Sequence, residues 1–342
     1  MKGRVFVATA ALLACVAGVG RAQGVLSSSC APDGTIADRA TQDACQLATD
    51  VFRYMTPQLG LALSGGNATL GQGGTLGGIG HFAIGVRGNV FNGSLPQIQD
   101  VELSVTGAQR RRIETDGQII GLPTVDAAVG LFQGIPLGVT NVGGIDLLLS
   151  AMYVPTVTSN GFDVSPDNPI KFGFGARLGL VQESLLLPGV SITFLRRELP
   201  SVDITASAGI GPLSATPDTI YVRDIGLTSN SWRFVASKSF LSFGVAAGVG
   251  QDRFSAETAV EAAIQPRPPA TTETLRKIVA MEQDMTRLNM FLDLSLNLPF
   301  TKFVLEVGQT SGGSVVEPFN DFSGKAADAS RVYGSLGVRF GF

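Results

Sequence analysis

Histidine, cysteine, the larger aromatics and long apolar runs are all scarce in this chain. Its 342 residues hold one His, three Cys, one Trp and four Tyr. Beyond the first twenty residues no run of 18 apolar residues occurs, which excludes a membrane-spanning helix. A lone His81 far from two Cys makes a poor metal set. A net charge of -3 leaves no basic stripe for nucleic acid. No Gly-x-Ser-x-Gly elbow is present, so the usual hydrolase nucleophile is missing. Neither a catalytic group nor a cofactor or metal is expected. What the chain has in excess is glycine, 43 residues, against a usual share of ~7%. That much Gly weakens helices and argues against a helical bundle. A 44% apolar content is ample for a folded core.

The chain opens on Lys2 and Arg4, an apolar run from Val5 to Val19, and Gly20-Arg21-Ala22. This is the layout of a secretory signal peptide, residues 1–22, with cleavage after Ala22. A rival reading makes Leu12-Leu13-Ala14-Cys15 a lipoprotein box. Export to an oxidising compartment makes a disulfide closing a short loop the leading reading of Cys30 and Cys45, with free thiols as its alternative.

The remainder alternates. In 170–180, Ile170, Phe172, Phe174, Ala176 and Leu178 share one face, opposite Lys171, Gly173, Gly175, Arg177 and Gly179. In 287–298, Leu288, Met290, Leu292, Leu294 and Leu296 oppose Arg287, Asn289, Asp293 and Ser295. Segments 241–250 and 331–342 repeat the pattern. Period-two segments of about ten residues are the length of tilted strands that cross a bilayer, whereas soluble strands usually run to ~5–6. The expectation is an all-β fold, a transmembrane antiparallel up-and-down β-barrel over 57–342. Fourteen strands are read, with twelve or sixteen compatible with the weaker segments. Among them are 57–65, 97–106, the pair 187–197 and 201–208, and the pair 217–227 and 230–239. Alternate directions put the long links 66–80, 107–121, 154–169, 255–286 and 311–330 outside. Residues 23–56 precede the barrel as a periplasmic or plugging segment, helical in its second half, where Ala44, Leu47, Ala48, Val51 and Met55 recur at helical spacing.

The final stretch, Tyr333-Gly-Ser-Leu-Gly-Val-Arg-Phe-Gly-Phe342, resembles the C-terminal β-signal of bacterial outer-membrane proteins. Val338, Phe340 and the terminal Phe342 match it, as does Gly334. The resemblance implies a Gram-negative type of envelope, residence in the outer membrane among its lipids and lipopolysaccharide, and the barrel-assembly machinery as partner. Fourteen strands behind an N-terminal preamble also resemble the FadL-like transporters of hydrophobic substrates, whose preamble plugs the barrel. Their Asn-Pro-Ala signature is absent here.

Several residues compete for a role. Arg87, Asn89, Lys171, Arg177, Arg287, Asp293, Lys302, Glu306 and Arg339 alternate inward, where they tune ion selectivity or pair with one another and fill the lumen. His81 sits at the outer rim, a lumen residue or the base of a lipid hydrolase. Gly78-x-Gly80-x-x-Ala83 fits a dinucleotide fingerprint formally but precedes a strand, the wrong context. Arg110-Arg111-Arg112 reads as a lipopolysaccharide-phosphate contact or as a solvated loop neutralised by Glu114 and Asp116. The 255–286 loop reads as an amphipathic lid over the pore or as a loop helix packed on its neighbours. The leading expectation is passive passage of small solutes, hydrophobic ones included, through a monomeric outer-membrane channel. Its alternatives are a closed structural or adhesive barrel and a lipid hydrolase centred on His81.

Overall fold

The computed structural model describes residues 24–31, 36–159, 162–207, 219–264 and 275–341. The signal-peptide expectation for 1–22 and the terminal Phe342 lie outside these residues. Ten strands run round a closed ring: β1 (Phe82–Pro96), β2 (Thr115–Phe132), β3 (Gly144–Tyr153), β4 (Ile170–Val181), β5 (Gly189–Ser207), β6 (Thr219–Phe240), β7 (Phe243–Ile264), β8 (Leu275–Leu298), β9 (Thr301–Ser311) and β10 (Arg331–Gly341). Each pairs antiparallel with the next in sequence. Ala83–Phe91 of β1 then meet Gly341–Tyr333 of β10 and shut the ring. The fold is an antiparallel up-and-down barrel, and closure removes the sheet edges at its waist.

The outward side chains form an apolar belt. On β8 it comprises Leu288, Met290, Leu292, Leu294, Leu296 and Leu298, and on β4 Ile170, Phe172, Phe174 and Leu178, all exposed. Ten residue steps along β8 cover about 34 Å of strand, or about 25 Å of height at a barrel's usual tilt. An exposed belt encircling the molecule far exceeds the few hundred Å² of apolar patch that a soluble monomer carries.

Ten strands replace the fourteen expected, each difference with a cause. Residues 57–65 belong to helix α1 (Ile36–Ser64) and the Gly65 that follows it. Leu59, Leu61 and Leu63 mimic a strand because that helix is buried on nearly all sides, which erases its periodicity. Residues 97–106 are a loop. Segments 187–197 and 201–208 merge into β5 across a register shift between Leu199 and Val202. Segments 217–227 and 230–239 are, from Thr219 on, one strand, β6, whose register shift lies between Arg223 and Gly226, inside the first of them. A bulge swaps which parity faces inward, so one strand reads as two.

Within the 255–286 segment, 255–264 and 275–286 are paired strand that continues β7 and β8, in place of the lid or loop helix expected; 265–274 lie outside the described residues. Its pattern inverts. Within the belt the outward residues are apolar, as with Val245 and Val249; beyond Asp252 the inward ones are, as with Phe254, Ala256 and Val260. The upper halves of β5 to β8 thus form a wall with a wet outer face and an apolar inner face. A small hairpin, Val157–Ser159 with Phe162–Pro166, extends the wall from β5.

Short connections gather at one end: 133–143, 182–188, 241–242 and 299–300. Long ones gather at the other: 97–114, 154–169 and 312–330. Because β1 begins beside Val129 of β2, His81 stands at the short-turn rim, not at the outer rim expected for it. Residues 66–80 are likewise not an outer loop; they descend inside the barrel from the end of α1 to β1.

Candidate functional site: the occupied lumen

Helix α1 packs chiefly against β6, β7 and β8. Its apolar residues Ala44, Leu47, Ala48, Val51 and Met55 share one cluster with Ile220, Val222, Phe254, Val260, Val279 and Met285 of the wall. A second stripe beside it, Asp43, Gln46, Asp50, Tyr54 and Gln58, is polar and at three- to four-residue spacing, and it organises the loops. Asp43 accepts hydrogen bonds from the Ser104 and Gln109 N–H groups and pairs with Arg111. Asp50 accepts from the Phe319 and Asn320 N–H groups, the Asn320 side chain and Gln46 Nε2. Burial pushes its carboxyl up to about 6, against the pull of those donors. Tyr54 stacks on Phe322 with centroids 4.3 Å apart. Pro57 lacks the N–H that would bond the Arg53 carbonyl, and Gln283 Nε2 donates to that oxygen instead, at 3.4 Å. The Cys30–Cys45 disulfide ties the preceding 3₁₀ turn to the helix.

The helix ends in the middle of the barrel, where its last carbonyls need donors. Strand arginines supply them. Arg197 Nη1 donates to the Leu63 carbonyl at 3.5 Å, Arg233 Nη2 to Ser64 at 3.3 Å and Arg87 Nη1 to Gly65 at 2.7 Å. Asn89 Nδ2 donates to the Leu61 carbonyl at 3.5 Å. Cations at the negative end of a helix dipole are favourable on electrostatic grounds as well. Two aspartates hold the arginines: Asp126 lies 2.5 Å from Arg87 and 3.6 Å from Arg197, and Asp252 lies 2.7 Å from Arg233.

Below this collar Gly65–Leu76 has no regular structure, and side chains of the barrel satisfy its backbone. Glu306 accepts from the Asn67 N–H, and Asp293 from the Gly71 N–H and Asn67 Nδ2. Ser237 accepts from Gly73, Gln182 from Thr75 and Asp146 from Leu76. In the other direction Arg339 donates to the Thr69 carbonyl, Lys302 to Gly71 and Arg177 to Gln72. Arg177 is itself paired with Asp146 at 2.6 Å. Inward glycines make the room: a Cβ at Gly85 or Gly337 would strike Leu70, and one at Gly179 would strike Thr75. A cavity of ≈ 10 Å³ lined by Ala68, Leu70, Ala128 and Arg339 remains at this level, room for about one water.

The residues expected to line a lumen therefore face inward, but they are buried in contacts. Arg87, Asn89, Arg177, Asp293, Glu306 and Arg339 hold residues 61–76. Arg287 serves another segment, donating to the Asp328 and Ala329 carbonyls of the 312–330 loop. Lys171 is half-buried near the top of β4, apart from the others. Val338 and Phe340 face outward on β10 beside Phe303 and Thr301 of β9 respectively, within the belt. Arg110 and Arg111 are tied to the loops, Arg110 to the Gly24 carbonyl and the Phe319 ring, Arg111 to Asp43 and the Glu102 carbonyl; Arg112 pairs with Glu114. His81 is exposed, its N–H bonded to the Gly78 carbonyl. Among the described residues no group of His, Cys, Asp or Glu is placed to hold a metal ion. The sequence reading missed Arg197, Arg233, Asp126, Asp146 and Asp252. Their signal was the inward parity of β2, β3, β5, β6 and β7, legible once the bulges are placed.

No known protein family and no curated protein matches the chain. Among solved structures it is similar to a monoaromatic hydrocarbon channel, the TodX deltaS2S3 mutant, at 9% identity over 76% of this chain and 66% of that one, with a TM-score of 0.30. The toluene transporter TodX of Pseudomonas putida gives 9% identity over 76% and 88%, again with a TM-score of 0.30. OmpT of Vibrio cholerae gives 8% over 77% and 97%, with a TM-score of 0.19. Likenesses this distant do not bear on what the chain does.

Proposed function

We propose that the chain sits in the outer membrane, long loops outward, as a channel whose lumen is shut by its own residues 36–80. Small solutes pass when the 65–76 segment leaves the wall. The apolar belt supports membrane residence. The gated reading rests on one observation: the segment that fills the lumen is held by polar contacts to its backbone. Water can replace each of these at a net cost of only ~0.5–1.5 kcal/mol, more where the partner is charged. A barrel filled for rigidity alone achieves this with apolar side chains and avoids burying so many charges.

The test displaces the segment without touching the barrel. Gly71 has φ +68°, a region strained for a β-branched residue. A Cβ at Gly73 would lie 2.5 Å from the Gly189 carbonyl oxygen and 2.6 Å from the Ser237 nitrogen. In a planar bilayer the full chain should give rare, brief openings, and Gly71→Val/Gly73→Val sustained current steps. Silence from variant protein that still shows the heat-modifiable gel mobility of a folded barrel would sink the channel reading. A closed structural barrel, the reading that the small residual cavity favours, would replace it.

A further inference from the structure

Charge is unevenly divided inside the barrel. Around the end of α1 stand Arg87, Arg197 and Arg233, each at least nine-tenths buried, and among the described residues the carboxylates paired with them are Asp126 and Asp252. Asp252 faces Arg287 directly across β7 and β8. Three guanidinium groups therefore share two carboxylates, and they rest besides on the carbonyl oxygens of residues 63–65. Arg197 is the least satisfied: its contacts to Ser150 and Leu63 are 3.4 and 3.5 Å, and its Nη2 makes no hydrogen bond. Arg287 Nε and Nη1 also lack partners. In the tier below the formal count is even, Arg177, Arg339 and Lys302 against Asp146, Asp293 and Glu306; of these Arg177 pairs with Asp146, and Asp293 lies beside Glu306 across β8 and β9.

We propose that this arginine collar is a binding site for a small oxyanion, a carboxylate or phosphate, which takes the place of the helix-end carbonyls when the plug withdraws. The inference rests on the gated reading and names its solute class. A guanidinium carries five donors in a planar fork that matches two anion oxygens better than one peptide carbonyl. The collar thus prefers an oxyanion to the group it now holds, and the plug's carbonyls act as a resident stand-in. An oxyanion entering from the loop end competes with the plug for the same N–H groups, so solute and opening are coupled through a single set of side chains.

The experiment uses the full chain carrying Gly71→Val/Gly73→Val, substitutions outside the collar. Under a potassium chloride gradient its reversal potential should show chloride preferred to potassium by about tenfold, the ratio that ~1.4 kcal/mol gives. Adding Arg197→Gln should bring the ratio near unity. Sodium benzoate and inorganic phosphate should each block the chloride current, the stronger blocker identifying the oxyanion source. Current without anion preference, or a preference indifferent to Arg197→Gln, overturns the collar site and leaves the channel reading standing. Absence of any current overturns the channel reading instead. In that case titration calorimetry of folded protein with the same two anions decides the site: saturable binding lost with Arg197→Gln supports it, and no binding overturns it.

Discussion

At the residue scale the informative groups are charges whose partners come from distant parts of the chain. Asp126 holds two buried arginines. Asp126→Asn should cost about 3–5 kcal/mol, because it strands both guanidiniums rather than deleting a balanced pair. The measure is the temperature at which the heat-modifiable band converts to the unfolded one. Asp50 gives a pH signature. Its pKa rises from 3.8 to about 6 through burial, so the folded protein binds the proton more tightly than the unfolded chain. Its contribution is therefore fully present below about pH 4 and is lost as pH rises to about 6, a span on the order of 3 kcal/mol. Protease cleavage of the 312–330 loop should accelerate across that window and level off above it. Asp50→Asn should flatten the slope, and an unchanged profile would assign the titration to another group.

At the element scale, α1 is a helix that no isolated peptide would keep buried on every side. It persists because the wall supplies an apolar face and the loops supply donors for Asp43 and Asp50. The disulfide anchors its N-terminal half. Replacing Cys30 and Cys45 together by Ser should raise protease cutting near residues 24–45 while leaving the barrel's gel mobility unchanged, since the ring is shut by the pairing of Ala83–Phe91 with Gly341–Tyr333 and not by the bridge. Loss of the folded band would show instead that the helix is needed to form the barrel. The inverted alternation of β7 and β8 belongs to this scale too. One strand carries the apolar belt on the outside of its lower half and faces a protein core on the inside of its upper half.

At the scale of the whole molecule, the belt and the wall predict where the membrane ends. Leu292 lies in the middle of the belt on β8, and Glu282 lies on the same face ten residues higher. Leu292→Arg should destabilise folding into lipid vesicles by ~2–4 kcal/mol, whereas Glu282→Arg should change it by ~0–1 kcal/mol. Equal effects at the two sites would displace the proposed bilayer position.

The barrel class, the faces of its belt strands, the helical character of 44–55 and the inward parity of eight charged residues were legible in the sequence, because side-chain alternation and helical spacing are local properties of neighbouring residues. Strand number was not, because a bulge at Leu199 or Asp224 changes parity only through pairing with another strand. Nor could the chain alone tell that Leu59, Leu61 and Leu63 are helical, since burial on all sides removes the periodicity that separates helix from strand. Above all, tertiary structure decided what the inward charges do. Arg87 and Arg233 are 146 positions apart, and only ring closure brings both to the end of one helix. There the low-dielectric interior requires that every guanidinium find oxygen, and the chain's own plug provides it.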